Sequence, residues 1–215
     1  RKGQLALTDR HFTALRAVVD KTGRWLGQYP YPNITVVIPA GEGLGSAGME
    51  YPTLVTSFTA PAPAMFRLPE ETTIHEYIHQ YFFHQVASDE VEDAWLDEGL
   101  TQAITAWVME DLYGARCSLF ESPFACLSDR SLDWLTYRGS VRHAPISAFG
   151  FQNPHSTFGE LTYNHTAVML HTLRNYLGIF EGCGALTEHG DLCVTLNTYL
   201  STLKFCLLVW LITLV

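Results

Sequence analysis

The sequence predicts an α+β fold that is mainly α. Apolar residues recur at helical spacing in long stretches, whereas branched residues cluster in only two short extended runs. With 47% hydrophobic residues in 215, the chain can bury roughly 70% of its surface in one large domain or in a domain with a small lobe.

Each element has a local reason. Thr8 can cap a first helix whose Phe12, Leu15, Val18, Val19, Trp25 and Leu26 face a core and which ends near Gly27. Ile34 to Ile38 reads as a buried strand by its branched residues, closed by Pro39. Ala40 to Gly48, with four glycines, reads as a mobile loop. Tyr51 to Phe58 is a second strand, which Pro52 places at an edge, where an extended peptide could add through main-chain hydrogen bonds. Pro69 suits a first helical position and Glu70 and Glu71 favour the positive end of a helix, so a helix is expected from Pro69 to Val86. Ile74, Ile78, Tyr81 and Phe82 form its apolar stripe. From Ala94 to Tyr113, Leu96, Leu100, Ala103, Ile104, Trp107, Val108 and Leu112 keep helical spacing, and Gly114 stands where a helix end favours a left-handed residue. Arg116 to Glu160 has poor periodicity and reads as short helices and loops roofing a cleft. No internal repeat or low-complexity tract interrupts the chain.

The chemistry concentrates in His75-Glu76-Tyr77-Ile78-His79, followed after 18 residues by Glu98. Histidines at i and i+4 lie on one helix face and can converge on one ion, with Glu76 beside it as a base. Catalytic zinc needs a third protein ligand and an open position for water, and Glu98 completes a two-histidine, one-glutamate set. Two surface histidines are the alternative; the helical context and the placement of Glu98 argue against it. His84, about 140° round the predicted helix from His79, does not share the ligand face and reads as a hydrogen-bonded histidine at the surface or just behind the ligands. His171, among apolar helix positions, reads as a satisfied core residue. Asp97 is a candidate hydrogen-bond partner for a ligand histidine.

These residues resemble a known family. His75 to His79 with Glu98 looks like the gluzincin arrangement, and Trp95-Leu96-Asp97-Glu98-Gly99 is similar to the corresponding segment of aminopeptidase N type zinc metallopeptidases. Ala47-Gly48-Met49-Glu50-Tyr51 resembles that family's Gly-x-Met-Glu-Asn exopeptidase motif. Tyr163-Asn164-His165, then Ala167 to Leu170 and a close at Leu177-Gly178, matches its downstream tyrosine and apolar helix. The resemblance spans about residues 25 to 178. It implies a thermolysin-like zincin catalytic domain, with a small β-sheet lobe and a helical lobe flanking the zinc cleft, over 1–178, and leaves 179–215 as a divergent tail. It further implies one zinc per chain on His75, His79 and Glu98, Glu76 as general base, Tyr163 as a donor to the oxyanion, and Gly48, Met49 and Glu50 as substrate contacts, with Glu50 meeting the α-ammonium. Departures are Ala47 for glycine, Tyr51 for asparagine, Asp97 for asparagine, Gln80 to His84 after the zinc helix, and His165 and Thr166 for lysine and glycine. They bear on selectivity and remove neither a ligand nor the base.

The net charge of −9 offers no basic patch for phosphates and argues against a nucleic-acid partner. Five cysteines, Cys117, Cys126, Cys183, Cys193 and Cys206, lack Cys-x-x-Cys spacing and read mostly as buried thiols, with Cys117–Cys126 or Cys183–Cys193 able to bridge in an oxidising compartment. Beginning at Arg1, the chain reads as a fragment or a processed product. Phe205 to Val215 is an apolar run of 11 residues, shorter than the roughly 20 of a bilayer span, and reads as a core helix or truncated tail in preference to a membrane anchor. No signal-peptide pattern is visible; an extracytoplasmic or membrane-associated setting is compatible with the composition. The expected reaction is zinc-dependent hydrolysis of peptides, with aminopeptidase action ahead of an endopeptidase or of a non-catalytic peptide-binding or anchoring module. A pure binding module has no need of the base Glu76.

Overall fold

The computed structural model describes residues 2–39, 45–58, 64–140, 146 and 155–177. It is mainly helical with two small sheets. In chain order it has α1 (Lys2–Trp25), β1 (Thr35–Val37), β2 (Leu54–Thr56), α2 (Leu68–Ile78), a π-helical turn (Trp95–Gly99) running into α3 (Leu100–Tyr113), β3 (Phe120–Glu121), β4 (Cys126–Leu127), α4 (Asp129–Gly139), α5 (His155–Gly159) and a second π-helical turn (Glu160–His165) running into α6 (Thr166–Leu177). The chain divides into two compact units, Arg1–His171 and Thr172–Val215. Of the second, the description covers only Thr172–Leu177, the end of α6. Gly178, the tail 179–215 and its three cysteines lie outside the described residues, as does the 40–44 part of the glycine-rich loop.

The core is built where three helices present their apolar faces. Ala14, Leu15 and Val18 of α1 meet Ile74, Tyr77 and Ile78 of α2 and Ile104, Val108 and Met109 of α3, all buried. Burying such side chains stabilises by about 1.5–3 kcal/mol each. Polar contacts set the α1–α2 register: Arg10 grips the Glu70 carboxylate with two bonds, 2.6 and 2.7 Å long, and His11 Nδ1 stands 2.7 Å from Thr73 Oγ1.

Several boundaries differ from the sequence reading. Helix α1 starts at Lys2, so Thr8 lies inside it and is not its first residue, and Phe12 faces solvent. Strands β1 and β2 are three residues each, pair in parallel with Val36 opposite Val55, and leave Val37 and Leu54 partly exposed. Val55 and Thr56 are buried. The edge of β2 expected to receive a peptide is partly taken, because Thr56 N–H donates to Met49 O at 2.8 Å and Thr56 O accepts from Gly48 N–H at 3.0 Å.

Helix α2 ends at Ile78 with His79 still in helical conformation, not at Val86. Beyond it the chain folds back on itself: Phe83 takes φ +100° and its N–H donates to Val86 O at 3.0 Å. Tyr81 and Phe82 are buried as expected, by a turn and not by further helix. The second predicted helix stands, widened at its start into the π turn and closed at Gly114 with φ +93°. Within the stretch read as loops, β3 and β4 form a hairpin tied by a Cys117–Cys126 disulfide, and Ser128 caps α4 by accepting from Ser131 N–H. No described helix is long and apolar enough to cross a membrane.

Candidate metal centre

The i, i+4 spacing on α2 brings both imidazoles to one side, and the π turn carries Glu98 to meet them. His75 Nε2 stands 3.1 Å from Glu98 Oε2; His79 Nε2 lies 3.2 Å from each of these atoms. Three donors held at about 2.0–2.1 Å by one tetrahedral ion are about 3.3 Å apart, so the observed triangle fits zinc to within a few tenths of an ångström. The donor set is also the two-histidine, one-carboxylate set that leaves a position for water.

The electrostatics favour a cation. Burial alone would lower the pKa of His79, but hydrogen bonds to Asp97 and Glu98 outweigh it and draw the pKa well up. Burial likewise works to raise Glu98, yet bonds from His75 and His79 hold it below its ordinary range. The His79 shift expresses the carboxylates that face it and the Glu98 shift the imidazoles that face it, an attraction between carboxylate and positive charge that a bound dication would supply in place of the ring protons. Asp97, itself buried, faces His79 Nδ1 at 2.7 Å, which leaves Nε2 as the ring's lone-pair nitrogen toward the triangle.

Glu76 lies on the same helix, one residue after His75. Burial pushes its carboxyl up to about 8, opposed by His79 and reinforced by Glu50, Glu98 and Asp97. A dication on the adjacent ligands opposes that rise by favouring the carboxylate. Gly48 passes alongside it: a Cβ there would stand 3.5 Å from Glu76 Oε1, and φ +73° suits glycine. Met49 contributes its main chain, bonded to Thr56. Buried Glu50 groups with Glu76 and His79, each offering a ligand atom within 4.8 Å of the others, and again with Glu90 and Asp97. Burial raises its pKa, with His79 opposing and Glu98 and Asp97 adding.

Tyr163 comes from the second π turn. Its ring stacks on His75 with centroids 5.8 Å apart and planes 18° off parallel. Burial, the Glu98 charge and a hydrogen bond to Glu98 all push its pKa up, so the phenol keeps its proton as a donor. The two π turns touch through Gly99, where a Cβ would fall 2.3 Å from Thr166 Cβ and 2.8 Å from Thr162 O. Any side chain at 99 would drive Glu98 and Tyr163 apart.

The sequence residues at the site therefore come together: His75, His79 and Glu98 as a triangle, Glu76, Glu50 and Gly48 on one flank, Tyr163 on His75. Sequence reasoning missed what holds the Glu50 segment. Gln80 accepts from Thr53 N–H at 2.9 Å and donates to Tyr51 O at 3.3 Å, while His84 Nε2 donates to Glu50 O at 2.5 Å. Their signal was position, polar residues directly following the histidine helix. Thr53 is held at φ +59°, uncommon for a β-branched residue, and its bond to Gln80 braces it. His171 is a satisfied buried residue, bonded on both ring nitrogens.

The domain model described as the Peptidase family M1 domain matches residues 20–182, a span containing every one of these residues. No curated protein and no solved structure matches the chain.

Proposed function

Since the chain belongs to peptidase family M1, and so is a metallopeptidase of the gluzincin, aminopeptidase N type, we propose that it removes amino-terminal residues from peptides, using one zinc ion held by His75, His79 and Glu98. The observation that carries this reading is the triangle of two imidazole nitrogens and one carboxylate oxygen beside Glu76 and Glu50. The chemistry supplied by zinc when bound is polarisation of the scissile carbonyl and acidification of water toward pKa 7, as is typical of such sites. Glu76 takes the proton of the attacking water and passes it to the leaving amine. The Tyr163 phenol donates to the oxyanion that develops on the carbonyl; one such donor is typically worth about 100- to 1000-fold. Glu50 receives the substrate's α-ammonium, which fixes the bond presented for cleavage. The Cys117–Cys126 disulfide supports an extracytoplasmic, oxidising setting. The histidine helix beside a small sheet is compatible with a thermolysin-like arrangement.

The test pairs metal analysis with substrate choice. The protein should bind one zinc, and Glu98→Ala should lose it; undiminished zinc in that variant would refute the ligand set. Peptides with free amino termini should be cut at least about 30-fold faster than acetylated ones, because an unmatched buried charge at Glu50 costs about 2 kcal/mol or more. Glu50→Ala should erase most of that preference with zinc retained. Equal cleavage of blocked peptides at internal bonds would make the protein an endopeptidase; zinc binding without hydrolysis would make it a peptide-binding module.

A further inference from the structure

Asp133 of α4 is fully buried and stands outside the candidate metal centre. A buried carboxylate is costly unless its oxygens are hydrogen-bonded, and both are. Oδ1 accepts from Gln102 Nε2 at 3.0 Å and from Asn164 Nδ2 at 2.9 Å, while Oδ2 faces His171 Nε2 at 3.1 Å. The direction of the last bond is set at its far end. The Trp107 indole can only donate, and it donates to His171 Nδ1 at 2.9 Å. Nδ1 therefore carries no proton, and the proton on Nε2 goes to Asp133.

The donors sit at telling places. Gln102 lies one helical turn after Glu98 on the same continuous helix; Asn164 is the residue after Tyr163; His171 lies on α6, which continues the second π turn. One carboxylate oxygen thus joins the helix bearing Glu98 to the turn bearing Tyr163.

We propose that Asp133 is a positioning residue for the hydrolysis: by binding Gln102 and Asn164 together, it sets where the Tyr163 phenol stands relative to the metal centre. This rests on the role given to Tyr163 above. A merely structural Asp133 would cost stability and leave turnover per folded molecule alone. A positioning Asp133 costs turnover, and only while the phenol is present.

The experiment uses zinc-loaded protein with Asp133→Asn, in which one acceptor becomes a donor and at least one of the three bonds is lost. kcat should fall about 10- to 100-fold, the scale of a misplacement near 1 Å, with KM within about twofold and zinc content unchanged. Amide hydrogen exchange should quicken in Glu160–His165 and not in α2. Asn164→Ala, which removes only the donor beside Tyr163, should reproduce the effect and stands in if Asp133→Asn does not fold. Each substitution is then combined with Tyr163→Phe, where it should lower kcat no further. If Tyr163→Phe itself turns over normally, the role of Tyr163 falls and this inference with it. If Tyr163→Phe is slow but the second substitution lowers kcat by the same factor in both backgrounds, this inference alone is overturned. Normal kcat in both Asp133→Asn and Asn164→Ala overturns it as well.

Discussion

Asp97 receives the far side of the His79 ring across 2.7 Å, in a setting where it is only 3% exposed. Fixing Nδ1 in this way fixes both the tautomer and the tilt of the ring. Asp97→Asn keeps the shape but loses the charge, so zinc affinity should drop about 10- to 100-fold, as is usual when such a partner is removed. Competition with a chelator measures it, and unchanged affinity would reduce Asp97 to packing. Glu76→Gln should keep zinc and fold while lowering turnover about 100- to 10,000-fold, the range of general acid-base catalysis. Normal turnover in a zinc-replete sample would remove Glu76 from the reaction. At this scale much of the site was legible in the sequence. The i, i+4 rule places His75 and His79 from local geometry alone, and Glu98 needed only a second helix start. Gln80 and His84 were not legible in their roles, because their partners in the Glu50–Thr53 segment are remote in sequence and no spacing rule reaches that far.

The two π turns are the elements on which the site depends, one widening the start of the α3 helix and the other the helix between α5 and α6, each just where a functional side chain leaves it. Such widenings recur at functional sites because they re-aim a side chain without ending the helix. Gly99→Ala places a methyl 2.3 Å from Thr166, and overpacking of this kind costs about 1–3 kcal/mol. The melting temperature should fall by several degrees. Gly159→Ala, with nothing among the described residues within 4 Å of the added carbon, is the control and should be neutral or slightly stabilising. Equal behaviour of the two variants would show that the turns can separate without penalty. The helices themselves were legible in hydrophobic periodicity; the π turns were not. Periodicity reports which residues are buried, and the buried Tyr81 and Phe82 look the same to it whether a helix or a back-folded turn buries them. The contact of Gly99 with Thr166 is remote in sequence, so no local signal foretells it. The two strands were placed correctly but read too long, since branched residues favour extension without saying where pairing stops.

For the molecule as a whole, the net charge of −9 and the carboxylates Glu50, Glu90 and Asp97 grouped by the metal centre act in the same direction. Their field reaches beyond contact distance before ions screen it, to about 8–10 Å at ordinary salt. On the reading proposed above, a peptide carrying an ammonium at its leading end should be drawn in that end first, toward exposed Glu90 and the buried Glu50 and Asp97 grouped with it, before any hydrogen bond forms. Encounter rates raised in this way fall steeply with ionic strength. kcat/KM for cationic free-amine peptides should therefore decline as salt is raised at fixed pH, while acidic peptides should gain. A flat response for both classes would mean that these carboxylates matter only after docking. If that salt dependence is found, the field that suits a dication in the interior would also sort arriving peptides by the sign of the charge they present.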